Sequence, residues 1–175
     1  MQSEPAREEA QPASSLPLKA ASALSRLGGA LSAFLILVVL AITVVSVFNR
    51  YALNAPIMGV DEGTGFLVVA IVMLGAAEAL RRGDHIRIDI LFDRTGPRLR
   101  WWLELWSFAG VLCFSALLLV AAWRTVQFSQ AFGAYSTGYL SVPMWIPQST
   151  LVIGSALLGV AALAALLELI GRRRP

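Results

Sequence analysis

The sequence is short of charge, cysteine and histidine, and each shortage excludes something. Only 14% of the 175 residues are charged and 57% are hydrophobic. Soluble domains carry about a quarter charged residues, so an ordinary water-soluble fold is excluded. A single cysteine, Cys113, lies inside an apolar run, so one chain can build neither a disulfide framework nor a cysteine-based metal site. A single histidine, His85, excludes bis-histidine haem ligation from this chain. Neither a cofactor nor a bound metal is expected. Alternating segments of about ten residues, the mark of a membrane β-barrel, are also missing.

Long uncharged runs fill the space left by these absences. A hydrocarbon core about 30 Å thick takes roughly 20 helical residues to cross. Four stretches meet that length: Leu27 to Phe48, Val60 to Leu80, Trp101 to Trp123 and Val142 to Ile170. The expected fold is therefore all-α, an integral membrane protein with four transmembrane helices forming one domain over 24–172. Residues 1–23, rich in Ala, Pro, Glu and Ser at their start, read as a disordered cytoplasmic tail. The first apolar run is too long for a signal peptide and its leader carries Glu4, Glu8 and Glu9, so an uncleaved span is expected. Pro143 and Pro147 fall near the start of the fourth span, where a missing N–H has no partner to lose.

The basic residues set the orientation. Arg81, Arg82, Arg87, Arg94, Arg98 and Arg100 lie between spans two and three, and Arg7, Lys19, Arg26, Arg172, Arg173 and Arg174 fall on the same side. The other side holds Arg50 and Arg124. Twelve against two places both termini in the cytoplasm. The arginines cluster at the ends of apolar runs, so the basic surplus reads as membrane orientation and no nucleic-acid partner is expected. Trp101, Trp102, Trp106, Tyr139 and Trp145 sit at span ends, where amphipathic rings favour the interface.

Polar residues gather in two places. The first loop reads Asn49-Arg50-Tyr51 and then Asp61-Glu62-Gly63. Asp61 and Glu62 open a helix, where negative charge suits the positive end of the macrodipole, and Arg50 can pair with either. The competing reading, a cation or proton site of paired acids, is weaker because these groups lie at the watery boundary. Further on, Glu78 precedes Arg81 by three residues and Arg82 by four, so both arginines share its helix face and can pair with it. Gly83 is placed to end that helix. His85 follows as a connector residue, more plausible in hydrogen bonding than in catalysis. The stretch 86–94 interleaves apolar and charged residues. A strand and a plain loop are open readings, but a short interfacial helix with arginines among lipid headgroups fits best. Gly96 and Pro97 break it, and Pro97 opens the next span. Gly75, Ala76 and Ala77 in span two and Gly154, Ser155, Gly159 and Ala162 in span four offer small-residue faces for close helix approach.

In this order, these residues resemble the small membrane subunit (DctQ-like, Q) of tripartite ATP-independent periplasmic (TRAP) transporters. The resemblance rests on Asn49-Arg50-Tyr51, the acidic pair Asp61-Glu62, Gly75-Ala76-Ala77 and Arg81-Arg82-Gly83-Asp84-His85-Ile86-Arg87-Ile88-Asp89. It covers roughly Leu24 to Arg172, and its specific part is 49–89. Where the family more often has two glutamates, this chain has Asp61-Glu62, which keeps both charges. The resemblance implies a multi-pass scaffold in the bacterial inner membrane, clasping a large many-span permease that carries the substrate and ion sites. It implies cation-coupled uptake of an organic anion, commonly a carboxylate, delivered by a periplasmic substrate-binding protein. Large permease, binding protein and membrane lipids are the expected partners. Candidate contact or structural residues are Asn49, Arg50, Tyr51, Asp61, Glu62, Gly75, Glu78, Arg81, Arg82, His85 and Asp89. Of these, Arg50, Asp61 and Glu62 are expected to order the outer loop, and Arg82, His85 and Asp89 to anchor the cytoplasmic connector. The alternative is an accessory or assembly subunit of another membrane complex, with no part in uptake. An enzyme is not expected, because no nucleophile, metal cluster or facing acid pair forms a catalytic arrangement.

Overall fold

A computed structural model of the chain describes residues 16–82 and 96–171. It contains four α-helices: α1, Leu16–Ala52; α2, Val60–Arg82; α3, Pro97–Ala131; and α4, Trp145–Gly171. All four are long and apolar enough to cross a membrane. The stretch 86–94 expected as an interfacial helix, together with Gly83, His85 and Asp89, lies outside the described residues, as do 1–15 and 172–175.

The helices overrun the expected spans, because a helix stops at a breaker rather than at the edge of hydrophobicity. α1 begins at Leu16, inside the segment expected as a tail. Pro17 sits in its first turn, where proline is tolerated, and Ala21 and Ser25 are buried by tertiary contact. It continues past Phe48 until Asn54 adopts φ +50°, with the Leu53 and Ala55 N–H groups both donating to the Asn49 carbonyl. α3 runs past Trp123 to Ala131, since no glycine or proline lies between Trp123 and Gly133. Gly133 takes φ +57°, and its N–H and that of Ala134 donate to the Gln130 and Ser129 carbonyls, closing the end in a Schellman arrangement. At 37 and 35 residues, α1 and α3 are about 50–55 Å long, well beyond a hydrocarbon core. Each must tilt or project into the headgroup layers.

α4 starts at Trp145 rather than Val142. Val142 and Pro143 are held instead in a short hairpin: the Ser136 N–H donates to the Val142 carbonyl, the Met144 N–H to Ala134, and Tyr135 bridges antiparallel to Pro143. Pro147 remains in the first turn of α4.

Across the molecule the helices are ordered α1, α2, α4, α3, with a lesser contact between α1 and α4. The buried centre is made of Ala77 and Leu80 from α2 and Leu158, Ala161 and Ala162 from α4, flanked by Phe108, Val111 and Leu112 of α3. The most enclosed positions are alanine and serine: Ala77, Ala162, Ser115 and Ser155. Lipid is as apolar as leucine, so close backbone approach, rather than burial of large side chains, holds such helices together. The large hydrophobics accordingly point outward along α1 and α3, among them Phe34, Leu37, Phe114 and Leu117.

Candidate partner-contact site

Small residues bring α2 within reach of both neighbours. The Ser32 hydroxyl of α1 donates to the Ile71 carbonyl of α2 at 2.9 Å, where hydrocarbon offers it no water. Gly75 faces that hydroxyl, and a Cβ there would lie 3.0 Å from Ser32 Oγ. A Cβ on Gly28 would lie 2.9 Å from the Leu74 carbonyl oxygen. On the other side, Gly154 of α4 meets the backbone of Met73, and Gly159 meets Ser115 of α3. Nearer the loops, the Ser129 hydroxyl donates to Gln148 Oε1 at 2.6 Å, tying α3 to α4. The contact faces expected on spans two and four are thus used within this chain. Gly28, Gly29 and Ser32 went unread, although Gly28 and Ser32 stand at small-xxx-small spacing.

Glu78 organises the basic end. Its carboxylate is buried and receives Arg81 Nε at 2.7 Å and Nη2 at 2.6 Å, with Arg82 Nε at 2.8 Å. The fork from Arg81 is bidentate, the geometry that best offsets the desolvation of a carboxylate. Glu78 also presses its side chain on Gly29, where a Cβ would lie 2.6 Å from Glu78 Cγ. The pairing expected from helix spacing is present, and it adds a contact to α1 that spacing could not show. Beside it Arg100 bonds Glu104 at 3.2 Å. A cavity of about 300 Å³, lined by residues of all four helices, opens at this end.

At the opposite end Glu62 reaches the hairpin, not Arg50. The Leu140 N–H donates to Glu62 Oε2 at 3.1 Å, and Gly138 lies so close to the carboxylate that a Cβ would collide with it. Glu62 Oε1 is buried and has no hydrogen-bond partner among the described residues. Leu140 also rests on Gly59, whose φ of +83° and 2.9 Å clearance both exclude a side chain. Asp61 is exposed, and among the described residues neither it nor Arg50 forms an ion pair. The expected pairing of Arg50 with the acids is therefore replaced by a clasp of one acid, Glu62, on the hairpin 138–140. Arg50 is at the last turn of α1, where a cation suits the negative end of the macrodipole. Tyr51, 78% exposed, points away from the helices. Asn49 serves through its carbonyl at the end of α1, and His85 and Asp89 lie outside the described residues. No pattern in 127–141 pointed to Gly138 or Leu140, because a backbone N–H donor leaves no trace in residue type.

Among the described residues no group of three or more His, Cys, Asp or Glu could hold a metal ion. What these side chains can do is hold helices and loops at fixed spacing. Apolar helices joined by small-residue contacts, with ion pairs near their ends, define a multi-pass helical membrane protein. The chain belongs to the family of the DctQ component of tripartite ATP-independent periplasmic transporters, whose profile matches residues 39–172. It is accordingly a multi-pass protein of the bacterial inner membrane. It is similar to the C4-dicarboxylate TRAP transporter small permease protein DctQ of Vibrio cholerae serotype O1 (strain ATCC 39315 / El Tor Inaba N16961), with 30% identity over 138 residues. That similarity covers 67% of this chain and 60% of the relative, so the chain spans less than two thirds of the relative's length.

Proposed function

We propose that this chain is the small scaffold subunit of a TRAP-type secondary transporter. It supports a large permease subunit in cation-coupled uptake of an organic anion that a periplasmic binding protein delivers. The observation that carries the reading is the family match across 39–172, which takes in three of the four helices whole and the C-terminal part of α1. The solute class is a carboxylate, in keeping with a relative named for C4-dicarboxylates. The chain is not an enzyme in this reading; it contributes shape and depth. With both termini on the cytoplasmic side, as the arginine distribution directs, the Glu62 clasp faces the periplasm and the Glu78 cluster the cytoplasm.

The row α1–α2–α4–α3 supports a scaffold role, because it leaves long apolar flanks on α1 and α3 for lipid and for partner helices. The decisive experiment is purification of the tagged chain from native membranes in mild detergent, with co-purifying proteins identified by mass spectrometry. A near-stoichiometric many-span permease is expected. Recovery of the chain alone, or with subunits of a respiratory or signalling assembly, would remove the transport role and leave the helical scaffold standing.

A further inference from the structure

The cavity at the basic end is lined by two charged groups, Arg82 and Glu168, that the helix contacts leave wholly or partly uncommitted. Arg82 uses Nε on Glu78, and its two terminal nitrogens have no hydrogen-bond partner among the described residues. Glu168 of α4 is exposed on the cavity and makes no ion pair among the described residues. Deeper in, Leu80, Phe108, Ala161 and Ala165 supply an apolar floor. Trp101 and Trp102 lie directly after Arg100, with ring centroids 5.2 Å apart in an edge contact. Such rings hold to the lipid–water boundary, which places the cavity mouth at headgroup depth.

We propose that this cavity binds a phospholipid whose headgroup carries both a phosphate and a primary ammonium, the phosphatidylethanolamine class. The free guanidinium edge of Arg82 takes the phosphate through paired N–H donors. The Glu168 carboxylate takes the ammonium, which brings three N–H donors. The first acyl carbons cover Leu80 and Phe108. A volume of about 300 Å³ stands at the lower end of small-molecule sites, which run roughly 300–1,000 Å³, enough for a headgroup and the start of its chains. The balance of signs selects this class. Arg81 and Arg100 are committed to Glu78 and Glu104, which leaves Arg82 and Glu168, one group of each sign. A purely anionic headgroup therefore leaves Glu168 unmatched, while a quaternary ammonium has no N–H to give it. A soluble phosphate ester would leave the apolar floor exposed to water.

Native mass spectrometry of the full chain, offered equal amounts of phosphatidylethanolamine, phosphatidylglycerol and phosphatidylcholine, tests this. Phosphatidylethanolamine should be retained roughly ten-fold over either competitor, the size of one charge-assisted hydrogen bond. Glu168→Gln should erase that preference while total lipid retention persists, and Arg82→Gln should lower retention of all three. Ala165→Leu, which fills the floor and leaves every charge in place, should also lower all three, with helical content checked by circular dichroism. Equal retention of the three lipids by the unaltered chain would overturn the proposal. So would a preference that survives Glu168→Gln. Displacement of the lipid by soluble glycerophosphoethanolamine at equal concentration would equally overturn it, by showing that the free headgroup is the ligand.

Discussion

Gly154→Ala should loosen the centre of the molecule, because the added methyl has nowhere to go. Its Cβ would stand 2.7 Å from the Met73 carbonyl oxygen and 2.8 Å from the carbonyl carbon. Met73 Cβ lies closer still and ordinary contact begins near 3.4 Å, so α2 and α4 must part by about 1 Å. A gap of that size forfeits roughly a quarter to a half of the dispersion energy of each facing atom pair. The atoms concerned include the Ala77, Leu158, Ala161 and Ala162 cluster. Overpacking of this kind costs about 1–3 kcal/mol, and alanine returns up to about 1 kcal/mol through its higher helix propensity. A net loss of about 1–2 kcal/mol should follow. The control is Gly110→Ala on α3, where the new Cβ meets nothing within 4 Å; it should be neutral or slightly stabilising. The assay is unfolding of the full chain from mixed micelles by a rising fraction of SDS, followed by circular dichroism. Equal midpoints for the two variants would refute the reasoning. A second check is sharper: Met73→Ala should not rescue Gly154→Ala, since the colliding oxygen, carbonyl carbon and Cβ all survive that change. Rescue would show that the contact is with the flexible side chain rather than the backbone.

Glu78→Ala should destabilise the chain by about 1–3 kcal/mol, chiefly through Arg81, because Arg82 is 64% exposed and stays hydrated. A double-mutant cycle with Arg81→Ala should show coupling of about 1 kcal/mol, and additive effects would contradict the bidentate pairing. Ser32→Ala and Ser129→Ala each remove one interhelical hydrogen bond, and each should lower the SDS midpoint by about 0.6 kcal/mol in free-energy terms, a typical value within a membrane. An unchanged midpoint for both would assign helix association to packing alone. Glu62→Ala should expose the Leu140 amide to hydrogen exchange and lower uptake by the assembled transporter, whereas Asp61→Ala should do neither. Equal effects of the two changes on exchange would remove the clasp.

The charge pattern made one end of this protein legible and left the other nearly blank. Glu78 with Arg81 and Arg82 could be read directly, because side chains three and four apart on a helix have to share a face. Arg50 with Asp61 and Glu62 was misread, because nearness in sequence across a loop says little about direction. Glu62 is turned instead toward an amide 78 residues away. Helix ends were placed short for a related reason. Hydropathy marks where lipid stops, while Asn54 and Gly133 mark where the backbone can first turn left-handed. Gly154 and Gly159 were recognisable as contact residues, yet nothing in their spacing says that one meets α2 and the other α3.

The sequence by itself determined the number of spans, the helical class and the basic end, since these follow from run length, the need to satisfy backbone groups in lipid, and arginine placement. Only the tertiary structure decided the order α1–α2–α4–α3, the seat of Glu62 on the hairpin and the cavity that all four helices line. Every helix here carries small residues and an apolar surface, so many neighbour orders satisfy the same pattern. The choice among them falls to which glycine meets which backbone, at distances of about 3 Å that pattern alone does not encode.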